Sequence, residues 1–143
     1  MNHDNANATC IREIIRQTYS ANPRVIVDES ASNIKYHQHG STLLGFAHGD
    51  AVKPKDIGQT MAVDCQGIFS ETQHRFAHLG HSHVDTVVDT PICRAESHRN
   101  LPPQNNWAVG MGYRRGVGTM KSITYDCQLG EISRSIFNVV NYD

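Results

Sequence analysis

Three short stretches of this chain carry side chains able to hold a metal ion or move a proton. The first is Gly80-His81-Ser82-His83, inside the run FAHLGHSHVD. Two histidines at i and i+2 beside a strand end project to one side, so together they could offer imidazole nitrogens to one ion or to two neighbouring ions. The glycine ahead of them permits close backbone approach. The same pair reads equally well as two solvent-exposed histidines. The second stretch is GFAHGD, residues 45–50, an apolar run leading into His48 and then glycine. Strand ends are where a rigid scaffold commonly presents functional side chains, although a capped strand edge followed by a Gly-Asp turn is the simpler reading of this stretch alone. The third is Asn2-His3-Asp4. A carboxylate beside a histidine orients the imidazole and raises its basicity, which suits a general acid or base. Asparagine and aspartate are also ordinary residues at a helix start.

Composition points to the same residue type. Nine histidines stand against thirteen lysines plus arginines, which is where this chain departs from ordinary usage. The formal net charge of −1 supplies no electrostatic footprint for a phosphate backbone, so nucleic-acid binding is not indicated by charge. Cys10, Cys65, Cys93 and Cys127 are scattered with no C-x-x-C pair, which reads as reduced thiols and a cytoplasmic location. No apolar run approaches the ~20 residues that a membrane-crossing helix needs.

The elements that must position these residues follow from periodicity. Ile11, Ile14, Ile15 and Tyr19 recur at the spacing of one helix face over residues 5–20, and Asn22-Pro23 ends that helix. Val25-Ile26-Val27, residues 34–36 and residues 41–46 read as strands joined by short turns. A helix is expected over residues 53–69 from Ile57 and Met61, weakened by Gly58. Short strands are expected near 75–79 and 84–88. The stretch 93–118 is too rich in Pro, Gly and Asn to be regular throughout, and residues 121–127 and 132–140 alternate as a hairpin about Leu129-Gly130. With no linker or repeat, the reading is one α/β domain over 1–143, a layered sandwich with a mixed sheet and a C-terminal β-hairpin.

Taken together and in this order, N-H-D before a helix, G-x-x-H-G-D after a strand and G-H-x-H after another resemble the C-terminal half of the calcineurin-like metallophosphoesterases, and in particular uncharacterised phage and prophage members. The resemblance runs from the third of the family's five motifs to the end of the chain. It implies a partial metallophosphoesterase-type sandwich and metal-dependent hydrolysis of a phosphate mono- or diester. By this resemblance Asn2, His48 and His81 would be ligands of one divalent ion, His83 would ligate a second, and His3 would be the general acid with Asp4 as its partner. Mn, Zn, Fe and Ni all suit such a donor set.

The departures from the family pattern are as informative. No D-x-H occurs, and Lys53 stands where G-D-x-x-D needs its second aspartate after Gly49-Asp50. The bridging carboxylate and most ligands of the second ion are therefore absent. The sequence thus predicts a truncated enzyme needing a separately encoded N-terminal half or a second copy of itself, the alternative being an inactive metal- or partner-binding remnant. His37, His39, His74, His78 and His98 match no family motif and are assigned no ligand role. Arg114-Arg115 in VGMGYRRGVG could meet a phosphate, but the stretch lacks the G-K-[ST] of a nucleotide loop.

Overall fold

The computed structural model describes residues 5–99, 101, 110 and 118–139. Asn2, His3 and Asp4 lie outside the described residues, as do Arg114 and Arg115. The chain divides into two compact units, residues 1–33 and 34–143. Among the described residues, no helix is long and apolar enough to cross a membrane.

The first unit contains helix α1 (Asn5–Thr18), as the spacing of its isoleucines predicts. Glu13 receives hydrogen bonds from Arg16 one turn on and from Gln17, a local brace on the polar side. The helix unwinds through Tyr19 and Asn22, whose amides reach back to Ile15 and Tyr19. Val25-Ile26-Val27 form no strand, contrary to the sequence expectation. Ile26 is 93 % exposed, and β propensity is realised only where a neighbouring strand supplies hydrogen bonds and packing.

The second unit is built on a mixed five-stranded sheet in the order β1-β2-β3-β5-β4. Its strands are β1 (Ile34–His39), β2 (Thr42–Ala47), β3 (His74–Leu79), β4 (Thr86–Asp89) and β5 (Arg94–Ser97). The outer pairs β1–β2 and β4–β5 are antiparallel, whereas β2, β3 and β5 run parallel. Parallel neighbours need a crossover. Between β2 and β3 it is supplied by α2 (Ile57–Asp64) and α3 (Gln66–Glu71), two short helices where the sequence suggests one.

Strand alternation decides which residues meet which layer. Leu43, Ala77, Leu79 and Ala95 form the core with Ile57, Met61 and Cys93, on the helix side. The intervening residues Phe76, His78 and Glu96 therefore point to the opposite face. There they meet the hairpin β6 (Thr119–Asp126) and β7 (Gly130–Asn138), a separate two-stranded sheet with a bulge between Thr124 and Tyr125. The Phe76 and Tyr125 rings pack 4.9 Å apart across this layer.

The hairpin turn is fastened to the start of β2. The Ser41 amide donates to the Cys127 carbonyl at 2.7 Å, and Thr42 Oγ1 donates to Asp126 O at 3.2 Å. Gly40 sits at φ +58, where a Cβ would overlap the Cys127 carbonyl. Asp126 Oδ1 closes the turn by accepting from the amides of Gln128 and Leu129.

Candidate functional site

Two histidine clusters occupy the second unit, one predicted from the sequence and one not. The predicted cluster sits where β2 and β3 end side by side. Because these strands are parallel and paired from Thr42–His74 to Ala47–Leu79, the residues just beyond them are neighbours. His48 follows β2 directly, and His81 follows β3 after one glycine. Their rings lie 5.0 Å apart between centroids at 69°. The backbone holds them there: the Gly80 amide donates to the His48 carbonyl at 3.0 Å. Gly49 has φ +101, and a Cβ on it would stand 2.9 Å from the Gly80 carbonyl oxygen. Glycine at 49 is thus demanded by both conformation and space.

The turn carrying His81 and His83 is strained. Both adopt left-handed backbone, at φ 65 and φ 55, which non-glycine residues rarely do and which clusters at functional sites. The turn is braced from β5: Ser82 Oγ and the buried Ser97 Oγ share a hydrogen bond at 2.5 Å, and Ser97 Oγ also donates to Gly80 O at 3.3 Å. The Ser82 amide donates back to Gly80 O at 2.8 Å.

The ring spacing is that of an edge-to-face contact and is also compatible with a shared ion. With metal–nitrogen bonds of ~2 Å, two imidazoles near the tetrahedral angle place their ring centroids roughly 5 Å apart. His48 and His81 match that spacing. No group of three donors within 4.8 Å of one another includes His48, His81 or His83 among the described residues, so these three do not by themselves make a closed site. The remaining predicted members, Asn2, His3 and Asp4, lie outside the described residues.

The second cluster lies on the hairpin face of the sheet and is the one the sequence reading missed. His78, Glu96 and His98 bring ligand atoms within 4.8 Å of one another, close enough to share a metal ion. His78 Nδ1 and His98 Nε2 are 2.8 Å apart, and His78 Nε2 meets the Tyr125 hydroxyl at 2.7 Å. Glu96 is 2 % exposed. Its Oε1 accepts from Lys121 Nζ at 2.5 Å, and Arg134 Nη1 donates to its Oε2 at 3.0 Å. Lys121 also reaches Asp85 at 2.9 Å, and Arg134 reaches Glu131 at 2.6 Å.

These contacts shape the protonation states. Burial, assisted by the neighbouring His98, pulls the His78 imidazole down to about 4, and burial likewise lowers His98. Burial would raise Glu96, but the Lys121 hydrogen bond and the charges of Lys121 and Arg134 overturn it and hold the carboxyl below its ordinary range. The cluster is therefore a carboxylate between two cations, capped by two neutral imidazoles. A divalent ion drawn to Glu96 Oε1 would have to displace or approach the Lys121 ammonium, and like charges at such range repel strongly in a partly buried setting. His78 works more simply as a hydrogen-bonded clamp, tied to His98 beyond β5 and, through the Tyr125 hydroxyl, to the hairpin.

Comparison with known proteins adds little at the level of the site. No family model and no curated protein matches the sequence. Among solved structures, the chain is similar to the crystal structure of a conserved uncharacterized protein, a predicted phosphoesterase, from Streptococcus pneumoniae TIGR4. The likeness covers 92 % of this chain and 91 % of that chain at 12 % identity, with a TM-score of 0.40.

Proposed function

We propose that the joined carboxyl ends of β2 and β3 bind a divalent metal ion and use it in hydrolysis of a phosphate ester. The observation that carries this reading is the 5.0 Å approach of His48 and His81, from segments 33 residues apart, through a backbone contact that only glycine at 49 allows. Both residues stand in motifs, G-x-x-H-G-D and G-H-x-H, that resemble those of the metallophosphoesterases. Open parallel sheets place ligands at strand carboxyl ends for the same geometric reason.

In this reading His48 and His81 would hold the ion, and the family resemblance would assign Asn2, which lies outside the described residues, as a third ligand and His83 to a second ion. The ion, when bound, supplies Lewis-acid polarisation of a phosphoryl oxygen and lowers the pKa of bound water. His3 would hand a proton to the departing oxygen, with Asp4 fixing its ring. The sequence motifs contain no bridging carboxylate, so two-ion chemistry would need carboxylates from a polypeptide segment outside these 143 residues that carries D-x-H and G-D-x-x-D.

The test is hydrolysis of bis(p-nitrophenyl) phosphate with added Mn²⁺, for the chain alone and after mixing with a polypeptide carrying D-x-H and G-D-x-x-D motifs. Metal-dependent turnover appearing on mixing is the expected result. A chain that binds no divalent ion under either condition contradicts the proposal.

A further inference from the structure

Between the sheet and β6 lies a cavity that the metal reading leaves unused, lined by neither His48 nor His81. Its volume is about 490 Å³, within the range of small-molecule sites.

The apolar wall follows from strand alternation. Leu44 and Phe46 stand on the hairpin face of β2, and Ile123 shares one face of β6 with Lys121 and Tyr125. Leu101 completes this wall. Phe46 and Leu101 are 42 % and 50 % exposed, so an apolar group laid against them removes water from surface that the fold leaves wet.

The polar part is a pair of cations joined through one carboxylate. Asp85 Oδ1 accepts from Lys121 Nζ at 2.9 Å and from the Arg99 amide at 3.2 Å, and Asp85 Oδ2 lies 3.4 Å from Arg99 Nε. Both side chains line the cavity, and neither is saturated. Lys121 gives two of its three N–H bonds to Asp85 and Glu96, and the two amino groups of the Arg99 guanidinium have no partner among the described residues. His78 and His98 border the cavity too, but their facing nitrogens are taken by each other and by the Tyr125 hydroxyl. Recognition of a head group is thus left to Arg99 and Lys121.

The charge of that head group follows from the network behind it. Lys121, Arg99 and Arg134 meet Asp85, Glu96 and Glu131 in one connected set, three cations against three carboxylates. One negative charge at the open guanidinium is tolerated better than two, because Asp85 and Glu96 stand behind the cations and repel an anion. A planar carboxylate also matches the fork of the Arg99 amino groups.

We infer that this cavity binds an organic monocarboxylate with an apolar body, its head group on Arg99 and Lys121 and its body along Leu44, Phe46, Leu101 and Ile123. The binding needs no metal ion and goes beyond the phosphoester reading.

The test titrates the full chain with octanoate, octan-1-ol, octylammonium, octyl phosphate and butyrate in buffer containing a chelator, following the methyl signals of Leu44 and Ile123 by NMR. Octanoate should saturate those signals and bind at least tenfold more tightly than octan-1-ol, octylammonium or butyrate, and more tightly than octyl phosphate. Arg99→Gln, whose fold is checked by its unfolding temperature, should weaken octanoate at least fivefold and leave octan-1-ol unchanged. Phe46→Ala, at a half-exposed position, should weaken octanoate and octan-1-ol by the same factor. Equal binding of octanoate and octylammonium, tighter binding of octyl phosphate, indifference to Arg99→Gln, or no shift of the two methyl signals overturns the inference. Octanoate binding that appears only with added Mn²⁺ and is lost in His48→Ala also overturns it, while supporting the metal reading.

Discussion

At the scale of single residues, the chemistry is set by which histidines can lose or keep a proton. His78 is held near pKa 4 against its ordinary 6.5, so the unfolded chain takes up a proton at this position before the native one does. The contribution of His78 to stability is therefore constant above about pH 6.5, falls as pH drops from 6.5 to 4, and levels off below. The span corresponds to on the order of 3 kcal/mol. Glu96, whose carboxyl is depressed, acts in the same direction: its stabilisation is present above its unfolded pKa and is lost as pH falls through the native value. A titration of the His78 ring by NMR should find its midpoint near 4, and chemical unfolding at a series of pH values should show stability declining in that window. His78→Leu should flatten part of that decline, and an unchanged pH profile would contradict the assignment. Glu96→Gln should cost about 3 kcal/mol at neutral pH, because it leaves the Lys121 ammonium, 9 % exposed, and the Arg134 guanidinium facing a neutral amide. Urea unfolding measures this directly, and a loss under 1 kcal/mol would show that the carboxylate is not the anchor of the network.

Elements position these residues, and glycines set how closely the elements meet. Gly49→Ala places a methyl group 2.9 Å from the Gly80 carbonyl at a backbone φ of +101, so it should force the β2 and β3 ends apart. The expected cost is about 1–3 kcal/mol, together with a loss of metal affinity larger than that of Gly67→Ala, where a Cβ meets nothing within 4 Å. Equal affinities in the two variants would show that strand-end spacing does not matter. The same elements explain what could be read from sequence. Helix α1, strands β1 to β3 and the hairpin were legible from the spacing and type of their apolar residues, although Ile11, Ile14 and Ile15 of α1 and Ile132 and Ile136 of β7 are exposed, and His48 and His81 were legible because each follows a strand beside a glycine. His78 and His98 were not, since their meeting depends on the parallel register of β3 with β5, in which His78 faces Glu96. The only local hint was alternation: Phe76 and His78 on β3, and Lys121, Ile123 and Tyr125 on β6, share one face of each strand. Val25-Ile26-Val27 misled for the converse reason, having strand-forming residues and no partner strand among the described residues of its unit.

At the scale of the whole second unit, the sheet separates two tasks. Its helix face buries the core around Leu43, Ile57, Met61 and Ala77, and its hairpin face carries the ionic and imidazole clamp that holds β6 and β7 over β3 and β5. His48, His81 and His83, three of the proposed metal ligands, lie on neither face but just beyond the ends of β2 and β3. The histidines are therefore divided between an edge, proposed above to hold an ion, and a face that fixes a layer. Co²⁺ titration followed by visible absorption tests that division most directly, because bound imidazole shifts the ion's spectrum in wild type and in each variant. The account predicts a spectral change saturating in the wild type, lost in His48→Ala and in His81→Ala alike, and retained in His98→Asn. Retention in the first two with loss in the third would place the ion at His78, Glu96 and His98 and contradict the central claim.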